Sequence, residues 1–340
     1  MTSKPTPTDI SATRCRPLAL ATLLIVLGLL AWQLSDVLLL MFGAVIGAVA
    51  LQAFAVPLQR FLRLNHQLAV AAAVVLTLTV LVLGSWLIGD LLAAQSADLT
   101  RRLPEAKAAL MSWARGQSLG KAALHVWDGI SAQDLPWASV ANAATRTLGA
   151  VGSIGLVLVL GVYLAADPQL YRCGVVRLVP PAWREVVDGA LLASGQVLSR
   201  WLFGQSISML FVGSATAIGL AVLGVPLAAT IGVIAGVLAF IPFFGPIASG
   251  ILAVLLAFTQ GPTQAMYVAG LCVAIQQIEG NLLMPFVQRW AVNLPAVLGI
   301  IAAVIFGLLF GLAGVILATP LMVVLMVMVE KLYVEAVLEA

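Results

Sequence analysis

Leu227–Phe258 reads LAATIGVIAGVLAFIPFFGPIASGILAVLLAF, a long apolar run that holds no charged residue. One straight helix of that length would measure about 48 Å at about 1.5 Å per residue. The hydrocarbon core of a bilayer is only about 30 Å thick. Two prolines and a glycine fall within Ile241–Pro246, and proline interrupts a helix because it lacks the N–H donor. The sequence therefore predicts either two half-helices that meet inside a membrane or one strongly kinked span.

The composition of the whole chain also indicates a membrane protein. Of its 340 residues, 62% are hydrophobic and 9% are charged, whereas soluble domains have about 45–50% and about 25%. We predict an all-α fold: a polytopic integral membrane helix bundle of about eight spans, with broken or re-entrant helices in the C-terminal third. The lipid bilayer is the expected surrounding. A net charge of +3 is too small to indicate nucleic acid as a partner.

Apolar runs and polar connections divide the chain into four predicted parts. Residues 1–92 hold the N-terminal tail and three spans, and residues 93–146 form an extracytoplasmic amphipathic insert with six Lys/Arg and four Asp/Glu. Residues 147–200 hold a fourth span and a cytoplasmic connection, and residues 201–340 form a core with broken helices. The insert is either a surface helix packed on the bundle or an interfacial helix that gates an access path. The predicted spans before Leu227 are Leu18–Leu34, Val37–Val56, Leu68–Leu92, Thr147–Ala166 and Trp201–Leu223.

A second long apolar run repeats the pattern of the first. Pro295–Met328 is again too long for one straight span, and GLLFGLAG at Gly307–Gly314 interrupts it. The segment Ala265–Pro285 lies between the two broken elements. Paired interrupted segments of this kind are typical of substrate sites in membrane transporters.

The same third of the chain contains one conspicuous acidic residue. Residues 201–329 carry only two charged side chains, Glu279 and Arg289. A carboxylate at membrane depth costs roughly 2.5–3.5 kcal/mol on insertion scales, so it is usually functional. An apolar environment favours the neutral carboxyl group, so Glu279 could exchange a proton; if ionised, it could hold a cation. The alternative is structural, with Glu279 capping a neighbouring helix or pairing with Arg289.

Amide side chains surround this carboxylate in the sequence AIQQIEGNLLMPF. On a helix, Gln276 shares the face of Glu279, and Gln277 and Asn281 form a second pair at i, i+4. We predict that these four residues form a transport or ion-coupling site. A gate or hinge is predicted where the helices are broken; packing alone is the alternative for these positions, which are Pro242, Phe243, Phe244, Gly245, Pro246, Gly280 and Pro285.

Signatures of catalysis are missing from the sequence. There is no HExxH, no glycine-rich phosphate loop and no GxSxG elbow. An intramembrane hydrolase would need paired carboxylates, a Ser/His pair or metal ligands. We therefore predict no enzymatic activity, no catalytic residue, no metal and no cofactor.

Several blocks resemble the autoinducer-2 exporter (AI-2E) family of bacterial membrane proteins. They are GVPLAATIGVIAGVLAFIPFFGPIASG (Gly224–Gly250), QQIEGNLLMP (Gln276–Pro285), GLLFGLAGVILATPL (Gly307–Leu321) and RWLFGQ (Arg200–Gln205). The family usually has a tyrosine after the IP pair and often a histidine before the later proline. This chain has Phe243 and Asn293-Leu294-Pro295 there, which puts any role for a phenol or imidazole in doubt.

The resemblance implies about eight spans, a homo-oligomer and export of small solutes, with Na⁺(Li⁺)/H⁺ exchange in some relatives. We expect an inner-membrane exporter of a small polar solute resembling autoinducer-2, coupled to protons or sodium through Glu279. The alternatives are a Na⁺(Li⁺)/H⁺ antiporter and a non-transporting oligomeric scaffold. The expected location is the bacterial inner (plasma) membrane, and the basic N-terminal tail and the loops 57–67 and 167–200 predict cytoplasmic termini.

Overall fold

The computed structural model describes residues 33–115, 147–242, 244–283, 285 and 295–338. Every regular element in these ranges is helical, which confirms the predicted all-α class. The predicted first span lies almost wholly outside the described residues. The helices are α1 (Ser35–Leu62), α2 (His66–Arg115), α3 (Thr147–Ala166), α4 (Pro168–Arg177), α5 (Arg184–Val222), α6 (Ala228–Leu238), α7 (Phe244–Ala257), α8 (Pro262–Ile278) and α9 (Ala296–Val329). Two π-helical segments, Glu279–Leu283 and Glu330–Leu338, follow α8 and α9.

The predicted count of about eight spans is not confirmed. Among the described residues, four helices are long and apolar enough to cross a membrane, or five if α3 and α4, bent by 87°, count as one. The count leaves out the predicted first span, which lies outside the described residues, and α6 with 11 residues and α7 with 14 are only about 16 and 21 Å long. Neither can cross a core of about 30 Å alone.

The first three helices pack as one bundle. Ala48, Ala55 and Ala165 belong to a buried cluster with residues of α2. The bundle is close-packed, since a Cβ atom on Gly161 of α3 would lie 3.2 Å from the Ala44 carbonyl oxygen of α1. Small side chains therefore allow the backbones of α1 and α3 to approach each other. Helix α2 continues past the predicted end of its span, at Leu92, to Arg115.

Helices α6 and α7 form the first hairpin. A Cβ atom on Gly245, in the first turn of α7, would overlap the carbonyl oxygen of Leu238, at the end of α6. Ile231 of α6 and Ala253 of α7 share one buried cluster further from the turn. The two arms thus pack antiparallel, as half-helices rather than as one kinked span. Their lengths are those of a re-entrant hairpin.

Glycines allow the first hairpin to pack closely against α5. A Cβ atom on Gly213 of α5 would lie 3.2 Å from the Gly232 carbonyl oxygen of α6 and 3.2 Å from the Gly236 Cα atom. Side chains at these positions would hold the helices apart, so the contact depends on glycine.

Helix α9 is the second hairpin and confirms the predicted interruption at Gly307–Gly314. Gly311 has φ 61° and ψ −144°, which is not helical. Ala303 and Ala318 lie in one buried cluster, although a straight helix would separate them by about 22 Å. The chain therefore reverses at Gly311.

Candidate functional site

A line of buried polar side chains runs along α5. Gln205, Ser208 and Thr216 are buried, at 5%, 1% and 6% exposure, and Val212 and Leu220 complete the same face. The spacing of three or four residues places them on one side of the helix. This side faces the hairpin and α8, because Val212 packs with Ala235, Ala239 and Ile275.

Glu279 continues the buried face of α8. Ala265, Val268 and Ile275 are buried on this helix, and Glu279 lies one turn beyond Ile275, where the π-helical segment starts. Its carboxylate atom Oε1 accepts a hydrogen bond from the hydroxyl group of Ser208. Glu279 is half-buried, so the contact joins the end of α8 to the middle of α5.

The turn of the first hairpin lies beside this contact. Gln205 donates a hydrogen bond from Nε2 to the backbone carbonyl oxygen of Ala239, at 2.6 Å. Trp201 packs edge-on against Phe240, with ring centroids 5.9 Å apart. Gln205 and Ser208 are three residues apart on α5, a rise of about 4.5 Å. Residues within one helical turn of α5 therefore bond to both the end of the first hairpin's α6 arm and the Glu279 carboxylate.

These groups make an oxygen-rich and electronegative site. It combines the Glu279 carboxylate with the Ser208 hydroxyl group. Carboxylate, hydroxyl and carbonyl oxygens are ligands for protons and hard cations. The arrangement favours a cation over an anion.

The three predicted amide side chains differ in how far they are exposed. Gln276 is half-buried, whereas Gln277, Gly280 and Asn281 are exposed. The structure thus does not bring Gln277 and Asn281 onto the packed face with Ser208. Arg289 lies outside the described residues, and its pairing with Glu279 stays a prediction.

Five of the seven predicted gate or hinge residues belong to the sequence of the first turn, Ile241–Pro246, and the other two, Gly280 and Pro285, follow α8. Pro242 and Pro246 are half-buried and Phe244 is exposed. Gly245 is buried against Leu238, so it provides close approach between the arms. Phe243 lies outside the described residues. Pro285 is exposed beyond the π-helical segment, and a gating role for any of these residues stays a prediction.

Sequence reasoning missed Gln205 and Ser208. Serine and glutamine are common in helices, and neither carries a charge that would stand out in an apolar run. A usable signal was the spacing of Gln205, Ser208 and Thr216, which places three polar groups on one face of an apolar helix. In the described part of the chain, no group of three or more His, Cys, Asp or Glu residues could hold a metal ion.

Comparison with known proteins agrees with the sequence blocks. Residues 20–333 match the sequence model of the family described as AI-2E family transporter. The chain is 29% identical to the inferred transport protein YueF of Bacillus subtilis, over 55% of this chain and 52% of the relative. It is 32% identical to the inferred transport protein YrrI of the same organism, over 49% and 47%. It is 28% identical to the inferred transport protein MT0215 of Mycobacterium tuberculosis, over 54% and 50%.

The chain spans about half the length of these curated relatives. The family match is much longer, because it covers both hairpins, α8 and the whole N-terminal bundle. The several long apolar helices indicate a multi-pass membrane protein. On this match, the chain belongs to the AI-2E transporter family.

Proposed function

We propose that this protein is an inner-membrane transporter that exports a small polar solute, with Glu279 as the group that couples export to a proton or a sodium ion. The observation that carries the proposal is the hydrogen bond from the buried Ser208 hydroxyl group to the Glu279 carboxylate. A carboxylate in an apolar helix bundle is costly. Its position beside a broken element is the pattern of a transport site.

The coupling step follows from the chemistry of this pair. A proton or a sodium ion on Glu279 neutralises its charge and competes with Ser208 for the carboxylate oxygen. Because Ser208 lies one turn from Gln205, a change at Glu279 is close to the turn of the first hairpin. The hairpin turn, with Pro242 and Phe244, would act as the gate. An autoinducer-2-like signal is the proposed solute on the family resemblance.

A Na⁺(Li⁺)/H⁺ antiporter is the second candidate. It is favoured by the Glu279 carboxylate beside the Ser208 hydroxyl group, because such oxygen atoms can bind a cation. In this case the cation is the substrate and no organic solute is needed. A non-transporting oligomeric scaffold is the third candidate, and it gives Glu279 no role in flux. Homo-oligomeric assembly is part of all three proposals.

The test uses purified protein in proteoliposomes with a pH-sensitive dye inside. Na⁺ or Li⁺ is added first, and a dihydroxypentanedione-type solute is added second. The variants are Glu279→Gln, Ser208→Ala and a control, Ser214→Ala. Ser214 is on the same helix, but it is exposed and its hydroxyl group donates to the Leu210 carbonyl oxygen of its own turn at 2.7 Å.

We expect Glu279→Gln to abolish coupled flux and Ser208→Ala to weaken it, while Ser214→Ala behaves as the unmodified protein. A proton signal that needs only the cation identifies the antiporter. A signal that needs the organic solute identifies the exporter. Coupled flux of full size in folded Glu279→Gln would refute the coupling role, and silence of the unmodified protein with every substrate would favour the scaffold.

A further inference from the structure

Helix α4 leaves the bundle at a defined residue. It is bent by 87° from α3, and the break is at Asp167, whose side chain accepts a hydrogen bond from the Leu170 backbone N–H at 3.0 Å. Pro168 occupies the first turn. An aspartate cap followed by proline is a strong start signal for a new helix. The local sequence therefore ends α3 and starts α4 at Asp167, and α4 extends nearly perpendicular to α3.

One side of α4 is attached to the rest of the protein. The Arg172 Nε atom lies 3.0 Å from the Asp188 Oδ1 atom, which belongs to α5. None of the residues of α4 is buried, however. Most of its surface is therefore left for another environment.

The remaining surface of α4 has one wholly apolar side. Tyr171, Val175 and Leu178 are exposed, the last by 86%, and follow i, i+4, i+7 spacing along one side. Leu178, which directly follows α4, keeps helical backbone angles. Cys173, Arg177 and Leu170 are exposed on another side, which is therefore of mixed polarity. Leu178 and Arg177 are neighbours in sequence, but they point about 100° apart around the helix.

The position of α4 along the bundle matches the edge of a bilayer. Ala165, just before the bend, lies in one buried cluster with Ala55 of α1. Ala55 is about 10 Å from the C-terminal end of α1. Arg60 lies in the last turn of α1 and Arg63 directly follows it. Exposed Trp183 comes shortly after α4. Arginine and tryptophan are enriched at the headgroup level of membrane proteins.

We propose that α4 lies in the headgroup layer of the membrane, with Tyr171, Val175 and Leu178 toward the acyl chains and Arg177 toward water. The occupant of this apolar side is lipid, because the exposed apolar side chains of α3, including Tyr163, run to the same end of the bundle. A helix with an apolar side and a basic group on another side can bind in the plane of the interface. The membrane thus positions the connection that leads into α5.

The experiment places an environment-sensitive NBD probe at one position at a time. The background is full-length protein with Cys15, Cys173 and Cys272 replaced by alanine. The probe is attached after Leu178→Cys or, as the matched control, Arg177→Cys. Both proteins are reconstituted in vesicles of phosphatidylethanolamine and phosphatidylglycerol. Quenching by nitroxide-labelled lipids and by aqueous iodide is measured for each, and an unfolding curve in detergent verifies that each labelled protein is folded.

The expected result is opposite behaviour at the two neighbouring positions. The probe at 178 should emit at shorter wavelength and be quenched several-fold more by lipid nitroxide than the probe at 177, which iodide should quench. Equal iodide quenching at both positions, without lipid quenching, would place α4 in water and overturn the proposal. Protection of position 178 from both quenchers, with energy transfer between labelled copies, would assign its apolar side to a second copy and also overturn it.

Discussion

Replacing Gly236 with alanine should destabilise the protein by forcing the first hairpin away from α5. An ideal Cβ atom at this position would lie 2.9 Å from the Met209 carbonyl oxygen and 3.1 Å from the Gly213 Cα atom. Comfortable carbon contacts begin near about 3.5 Å, so the helices must separate by about 0.5 Å. Both neighbours are backbone atoms, which cannot rotate away.

The magnitude follows from two opposing terms. Overpacking of a tight contact costs about 1–3 kcal/mol, and alanine returns up to about 1 kcal/mol as a better helix former than glycine. With the full gain subtracted, the expected net loss in the free energy of unfolding is about 0–2 kcal/mol, centred near about 1 kcal/mol. A separation of about 0.5 Å would lengthen the bond from Gln205 to the Ala239 carbonyl oxygen from 2.6 Å to about 3.1 Å, which is still a hydrogen bond. Stability should therefore fall more than transport.

The assay is equilibrium unfolding of the purified protein in mixed micelles with increasing amounts of a denaturing detergent. Gly270→Ala is the matched control, because Gly270 is also in the interior of a helix and its added Cβ atom would meet nothing within 4 Å. The control should be as stable as the unmodified protein or slightly more so. Equal stability of Gly236→Ala and Gly270→Ala would refute the close approach of α5 and α6.

Three further perturbations test the turn regions and the long arm of α2. Gln205→Leu should cost about 1–3 kcal/mol of unfolding free energy, because it leaves the Ala239 carbonyl oxygen without its donor. Gly311→Ala should cost about 1–3 kcal/mol, since its φ of 61° with ψ of −144° is a conformation essentially reserved for glycine. Trp113→Cys combined with Phe258→Cys should cross-link with a short bismaleimide, because the two rings have centroids 5.7 Å apart.

Each of these has a control on the same element or a similar one. Ser206→Ala removes a hydroxyl group that bonds only within α5 at the Leu202 carbonyl oxygen, so it should leave stability unchanged. Gly280→Ala adds a methyl group in open space without the positive φ. Lys107→Cys replaces Trp113→Cys with an exposed position on another side of α2. A control that matches its partner variant in size of effect would contradict the corresponding contact.

The helix breaks were predictable because their causes are local. The pair of prolines near Phe244 and the glycines around Gly311 disrupt helical backbone wherever they occur, so the two interruptions could be placed from the sequence. The direction in which the chain continues after a break was not predictable in the same way. It depends on contacts such as Gly245 against Leu238, which join residues on opposite sides of the turn.

Half of the candidate site was visible in the sequence for an energetic reason. Glu279 stands out because a charge in an apolar run is expensive wherever the run folds. Ser208 and Gln205 are neutral, and placing them in an apolar helix costs little free energy. A serine hydroxyl group, for example, can bond to a carbonyl oxygen of its own helix, as that of Ser214 does. Only the packing of α5 against α8 and the hairpin distinguishes Ser208 from Ser214. Sequence reasoning therefore finds the costly member of a polar pair more readily than its neutral partner.

The two hairpins share one construction at the turn but differ in their surroundings. Gly245 and Gly314 each lie just after a turn, and a Cβ atom on either would overlap a carbonyl oxygen of the preceding arm, at Leu238 and Phe306. Among the residues that the structure describes, the turn of α5 that contacts Glu279 is bonded to the first hairpin turn and to no part of the second. Residues 295–329 contain no charged side chain. On the proposed coupling, we expect a change of charge at Glu279 to reach the first hairpin through this one turn of α5 and the second hairpin only through the packing of α5 and α9, and we therefore propose the first hairpin as the gate.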